Sequence, residues 1–375
     1  MSKILFKDTR AIGVQYPASS GPNISNVFAS REVILAAGAL HTPQLLQLSG
    51  VGPKKVLKPL GIPLVAELPG VGTNLQDHAS INIQYNCKTT FLNCATLATN
   101  SCSVTNLIAP NAGSIATNAT FAAEQRVLYD HHLLSAFTVV RGLGSTFESL
   151  SFKDLTNASA SIMSNAKNRK AAASLPVDEH RTVVAGYKAQ REILIQQLGN
   201  PNIAVSVTAW DTFSSVMVAA LKPFSRGKIA ITSTDIWTEP KLDYRTATDP
   251  TDLPIIIATL RKLRQIMSAP DMAIMGTVEA APLGVYIQSD KDFEEAIRAS
   301  LDVSSAHQCC SAPMMPLELG GVVNTKHNVY GVTGLRIADR STFPMAVSGG
   351  PTANIYAVAK KVSYLFAIKK TQKHS

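Results

Sequence analysis

Two short apolar runs, each followed by a glycine-bearing turn and a helix-like stretch, stand at opposite ends of this 375-residue chain. No other feature limits the fold as much. The first runs from Glu32 to Ala37 and breaks at Gly38; the segment from Ala39 to Gly52 follows. A run this short and this continuous suits a strand buried on both faces of a parallel sheet. Thr42 fits an N-cap, Pro43 the first helical position, and Gly50 and Gly52 the helix end. The second unit has a strand over Leu335-Arg-Ile-Ala338, a turn from Asp339 to Pro344, and a helix from Pro351 to Lys369 opened by Ser348-Gly-Gly350. A glycine turn feeding a helix presents unpaired backbone N–H groups, which favour an anion such as the phosphate of a cofactor.

Different patterns fill the space between. Ile4-Leu5-Phe6 and Ala11 to Tyr16 read as paired strands about a turn at Asp8-Thr9, followed by a Ser/Gly/Pro/Asn loop from Pro17 to Asn26. Cys87 to Asn165 is rich in Ser, Thr, Asn and Ala and has little periodicity. Val177 to Leu198 and Asp252 to Ser268 carry helical spacing. Ile203 to Trp210, Ser215 to Leu221 and Gly227 to Thr232 form a run of strands that predicts an antiparallel sheet. The expectation is an α/β chain, α+β overall, whose middle is inserted between the two glycine-turn units.

Composition removes several function classes. The excess of 35 Lys+Arg over 26 Asp+Glu is spread along the chain. Its densest groups, Lys360-Lys361, Lys369-Lys370 and Arg261-Lys262 with Arg264, lack the interleaved aromatics of a nucleic-acid platform, so no nucleic-acid partner is expected. Five cysteines, including adjacent Cys309 and Cys310, are too few and too odd in number for a disulfide framework, so they read as free thiols. His131-His132 has no third ligand at metal spacing, so no metal is expected. No run of eighteen apolar residues marks a membrane span, and the opening MSKILFKDTR is too short and interrupted for a secretion signal.

Four segments in order carry a family likeness: Gly38 to Gly52, Gly70-Val-Gly-Thr-Asn-Leu-Gln-Asp-His78, Pro223-Phe-Ser-Arg-Gly227, and Val329 to Asp339. Through them the chain resembles the glucose-methanol-choline (GMC) oxidoreductases. The resemblance implies an incomplete Rossmann-like FAD domain over 1–86 and 318–375, and an antiparallel-sheet substrate domain with helices over 87–317. It also implies FAD as cofactor and a small-molecule alcohol as substrate. The Ser/Thr/Ala-rich insert suggests a pocket unlike that of a strict sugar oxidase, and so an aromatic or natural-product alcohol. The GxGxxG segment with which family members hold the ADP moiety has no counterpart here. Gly142-Leu-Gly144 lacks the third glycine. An incomplete gene product, with the true N-terminal region missing, is the expectation.

Oxidising an alcohol requires removal of the hydroxyl proton together with hydride transfer, and a neutral imidazole suits the proton step. His307, in Ala306-His-Gln-Cys-Cys-Ser311, stands where the family places its base, although the usual Gly-Thr has become Cys310-Ser311. The family's second His or Asn falls on Gly350, which has no side chain to offer. Ala338, Asp339, Pro351 and Thr352 fall at the implied flavin contacts. His41 and His78 lie in the motifs as packing and loop-closing residues. Two alternatives stay open: a truncated, non-catalytic fragment of such an enzyme, and a non-redox lyase or cyclase on the same fold.

Overall fold

The computed structural model describes residues 2–17, 24–87, 114–115, 117–132, 135–137, 146–210, 215–273, 277–280 and 282–371. Gly142-Leu-Gly144, Cys94 and Cys102 lie outside them. The α/β expectation is met by a mixed arrangement of helices and sheets.

The two glycine-turn units lie side by side. Strand Val33–Leu35 pairs in parallel with strand Leu335–Ile337, Val33 opposite Leu335, and the ladder extends through Ala338 N–H to Leu35 O at 2.7 Å. Val33, Leu35 and the whole of Leu335–Ile337 are buried, but Ile34 is 40% exposed, so only one face of the first strand is covered as a parallel-sheet strand requires. Arg336 sits fully buried in this sheet. Its Nε donates to both carboxylate oxygens of Glu32 at 2.9 Å, and its Nη1 to the carbonyl of Lys326. A buried pair of this kind costs about 3–5 kcal/mol when one partner is removed, because the other is left charged and dry.

The first helix, Gly38–Leu48, begins four residues before the expected cap. Gly38 has φ +77°, a conformation that glycine adopts without strain, so the chain turns there and winds at once. Thr42 is therefore inside the helix and buried. Its hydroxyl points across to Asp339 at 2.6 Å instead of capping. The opening strands are Lys3–Lys7 and Arg10–Pro17, joined by a third, Ile24–Phe28, whose first three residues fall in the predicted loop.

The second region is a five-stranded antiparallel sheet in the order Thr277–Glu279, Ser80–Cys87, Ser215–Ala220, Ala204–Trp210, Thr146–Ser151. Along Ser80–Cys87 the strand period is explicit: Ile81, Ile83 and Tyr85 are buried, and Asn82 and Gln84 are exposed. The buried set packs with Val216 and Val218 on Leu253, Ile256, Leu260 and Leu263 of helix Asp252–Met267. Each such side chain contributes roughly 1.5–3 kcal/mol on burial. Lys228–Ala230, expected to follow its neighbours into this sheet, pairs instead with Lys241–Asp243. The chain has turned away before it. Phe224 N–H, Ser225 N–H and Ser225 Oγ all donate to Asp252, and Arg226 Nη1 takes the carbonyls of Pro223, Phe224 and Ser225. These bonds fix the backbone in a turn just ahead of Lys228.

Candidate active site

The segment Gly70–His78 crosses between the two regions, and its polar residues clamp two loops together. Gln76 Oε1 accepts from Ala346 N–H at 3.1 Å, and Asn74 Nδ2 donates to Cys310 O at 3.1 Å and Pro344 O at 3.2 Å. Lys222 Nζ, buried, donates to Ala346 O at 2.9 Å. The loop over 344–350, which leads into the final helix Thr352–Thr371, is thereby held against the segment that carries His307.

Asp77 organises that segment. Its Oδ1 accepts from the backbone N–H of His78 at 2.8 Å and of His307 at 3.1 Å, and its Oδ2 accepts from Ser304 Oγ. Burial pushes the Asp77 carboxyl up, against the pull of these four donors, which include the Ser305 N–H. The backbone it holds is not relaxed. Ala306 and Cys310, on either side of His307, have φ of +58° and +75°. Left-handed conformations cost non-glycine residues on the order of 1–3 kcal/mol and persist only where surrounding contacts fix them. Cys310 stands where the family likeness calls for glycine, which accounts for that preference in backbone terms. Cys309 and Cys310 are buried free thiols, and burial raises the Cys310 thiol well above its ordinary value.

His307 is half-buried, and its Nδ1 lies 3.0 Å from Nδ1 of His78, the rings meeting edge to face. His78 is buried, and its Nε2 lies 3.0 Å from the carbonyl oxygen of Val347. Burial first, then the charge of His307, lowers the His78 pKa to about 4. Burial also lowers that of His307, with Asp77 opposing and Arg340 assisting. Among the described residues the Nε2 of His307 makes no hydrogen bond, so that nitrogen is the group the site presents.

Asp339 is occupied within the protein. Oδ2 accepts from Gly38 N–H at 3.0 Å and Thr42 Oγ1 at 2.6 Å, and Oδ1 from Ser341 N–H at 2.8 Å. It ties the end of strand Leu335–Ile337 to the Gly38 turn and caps the short 3₁₀ turn Arg340–Thr342. Arg340 then joins this strand end to the His307 segment, donating to Ala306 O at 2.8 Å and Gln308 Oε1 at 3.0 Å. Gly350 is exposed and Pro351 buried, and Thr352 opens the final helix. Arg340 thus brings Ala338 and Asp339 to the His307 segment, and Val347 joins that segment through His78; Gly350, Pro351 and Thr352 follow Val347 in the chain without a hydrogen bond to His307 among the described residues.

The sequence reads His78 as a packing and loop-closing residue, whereas here its ring meets that of His307, and it gives no role to Gln76, Asp77 or Arg340. For the first three a signal was available, a carboxylate, an imidazole and two amides concentrated in the five residues from Asn74 to His78; Arg340 had none. His41 is exposed, bonded to Gln44 at 2.9 Å, and lines an open cavity of about 460 Å³ beside strand Val33–Leu35. His131 and His132 are exposed on a helix, and among the described residues no cluster of three metal-binding side chains occurs.

Residues 1–80 and 223–359 match the two parts of the GMC oxidoreductase family pattern. The dehydrogenase xptC of Emericella nidulans is 46% identical over 365 residues, 97% of this chain and 56% of that protein. Patulin synthase of Aspergillus clavatus is 30% identical over 341 residues, 89% of this chain and 48% of that protein. Among solved structures, a FAD-dependent oxidoreductase from Chaetomium thermophilum superposes with TM-score 0.87 at 42% identity, covering 99% of this chain and 61% of that one. A fungal aryl-alcohol oxidase gives 0.85 at 32% identity, covering 99% and 60%. The chain spans about half the length of the curated relatives it matches.

Proposed function

Because the chain belongs to the GMC oxidoreductase family, we propose that it carries the proton-abstracting half of a FAD-dependent alcohol oxidation, with Nε2 of His307 as the general base. The observation that carries this reading is a half-buried imidazole with one nitrogen engaged by His78 and the other free, anchored beside the loop that opens the final helix.

The residues present fit the flavin. Gly38, Gly349 and Gly350 each have open space where a Cβ would stand, so both glycine turns offer bare backbone for close approach. Backbone N–H groups at the start of helix Thr352–Thr371 suit a group that gains negative charge. With Asp339 bonded internally, the part of that strand end left for a cofactor is backbone around Ala338. When bound, FAD supplies the hydride acceptor. His307 then takes the substrate hydroxyl proton onto Nε2, and the lowered pKa keeps it in the unprotonated, receptive form at neutral pH.

The relatives' names favour a small-molecule alcohol, with an aromatic or natural-product alcohol first, since one structural neighbour is an aryl-alcohol oxidase and one curated relative is a patulin synthase. Gly350 favours a second reading on the same site. A single base suffices for proton transfer without net oxidation, as in a lyase or cyclase, and glycine at 350 supplies no second acid-base side chain. Purified chain loaded with FAD and mixed anaerobically with a panel of aryl alcohols is expected to lose its oxidised-flavin absorbance. His307→Ala should slow that by about 10²–10⁴. Failure to bind FAD refutes the proposal for this chain, and turnover without flavin reduction selects the second reading.

A further inference from the structure

A backbone carbonyl only accepts, so the 3.0 Å contact from His78 Nε2 to Val347 O places a proton on that nitrogen. His78 is buried, and among the described residues no carboxylate hydrogen-bonds its ring; with a pKa near 4 it is neutral at working pH and carries one ring proton. Its Nδ1 is therefore bare. The 3.0 Å contact between the two Nδ1 atoms then has one donor available, His307 Nδ1–H. Neutral His307, with its proton on Nδ1, must expose the lone pair of Nε2.

We infer that His78 is a positioning residue: the relay Val347 O, His78, His307 locks His307 in its Nδ1–H tautomer and so turns Nε2 outward as the acceptor. Water leaves a neutral imidazole mostly in the opposite, Nε2–H tautomer, in which the outward nitrogen donates and cannot abstract a proton. The size of the effect is known from Ser-His-Asp triads, where a wrong tautomer in intact geometry costs about 10⁴ in turnover. There the orienting group is a carboxylate, which also stabilises the imidazolium. A neutral imidazole orients the ring and adds less basicity, in keeping with the lowered pKa of His307.

The lock also reads the state of the loop over 344–350. Val347 O is in place because Ala346 is bonded through its N–H to Gln76 and through its carbonyl to Lys222. If that loop lifts, His78 loses the acceptor that defines its own tautomer. The hold on the His78 tautomer is then weakened, and the hold on His307 with it. Docking of the segment ahead of the final helix is in this way coupled to the acceptor state of the base.

The catalytic consequence rests on His307 being the base, but the tautomer can be measured without it. Full-length chain labelled with ¹⁵N-histidine is examined at pH 7.5 by long-range ¹H–¹⁵N correlation, with His307→Gln assigning the ring. Wild type is expected to show His307 protonated on Nδ1 and His78 on Nε2. His78→Leu should move His307 to the Nε2–H form. His78→Asn, whose Oδ1 can accept where His78 Nδ1 accepted, should restore Nδ1–H. An Nε2–H His307 in the wild type overturns the inference even if the variants do not fold, as does an unchanged tautomer in folded His78→Leu. If the FAD-loaded chain oxidises alcohol, His78→Leu should lower kcat by about 10-fold or more with KM nearly unchanged, and His78→Asn should recover it. Full activity in His307→Ala would remove the base assignment while leaving the tautomer result standing.

Discussion

Replacing Asp339 with alanine tests whether the two glycine-turn units are held together as the structure indicates. The carboxylate accepts three hydrogen bonds: Gly38 N–H at 3.0 Å, Thr42 Oγ1 at 2.6 Å and Ser341 N–H at 2.8 Å. Asp339, Thr42 and Ser341 are all buried. Hydrogen bonds to a charged group contribute about 1.5–3 kcal/mol each, and an abandoned buried donor costs about 1–3 kcal/mol. The terms do not add fully. Thr42 can turn its hydroxyl to a carbonyl of its own helix, and water can enter the space left by the carboxylate. A net loss of about 3–5 kcal/mol is expected for Asp339→Ala, below the full sum for three hydrogen bonds to a charged group. Asp339→Asn keeps one acceptor oxygen and should lose about half as much. Urea unfolding followed by far-UV circular dichroism gives the free energies. Amide exchange should accelerate at Gly38 and Ser341, 301 and 2 residues from position 339 in sequence. A loss under about 1 kcal/mol with both amides still protected would refute the assignment of Asp339 as the tie between the units.

The other expectations follow from the same geometry. The folded site accepts only neutral His78, whose pKa falls from 6.5 to about 4, so the unfolded chain takes the proton first on acidification. Above pH 6.5 there is no penalty; between pH 6.5 and 4 about 3 kcal/mol of stability is lost, and below that the contribution is flat. Unfolding free energies at pH 7 and pH 4 should therefore differ by about 3 kcal/mol less in His78→Asn than in wild type, and equal pH dependence in the two would count against it. Gly350→His adds a side chain where a Cβ meets nothing within 4 Å, so stability should shift by no more than about 0.5 kcal/mol. In FAD-loaded chain it should raise turnover about 10-fold or more and add an ionisation to the pH–rate profile; unchanged kinetics would mean the position lies out of reach of the substrate.

Local pattern carried a good part of the architecture. The helices Arg181–Leu198 and Asp252–Met267 and the strands Ala204–Trp210 and Ser215–Ala220 fall close to the segments that periodicity marks, because each buries one face and the apolar spacing records it. Lys228–Ala230 escaped the pattern, since its partner is decided by how Asp252 and Arg226 turn the preceding backbone. Helix Gly38–Leu48 escaped it differently. Thr42 and Pro43 look like a helix start, yet the positive φ at Gly38 begins the helix earlier and Asp339 supplies the partner for Thr42.

By itself the sequence determined that two strand, glycine and helix units flank an antiparallel region, that the chain resembles the GMC oxidoreductases, and that His307 is the residue to ask about as a base. These are properties of spacing and residue type, which a linear pattern stores. Only the tertiary structure brought His78 within 3.0 Å of His307 across 229 residues, gave its second nitrogen to Val347 O, and turned Asp339 inward to the Gly38 turn. The physical reason is that a hydrogen bond depends on position and orientation to within a few tenths of an ångström. Residue type names the donors and acceptors, and the packed backbone, including the left-handed Ala306 and Cys310, decides which of them meet.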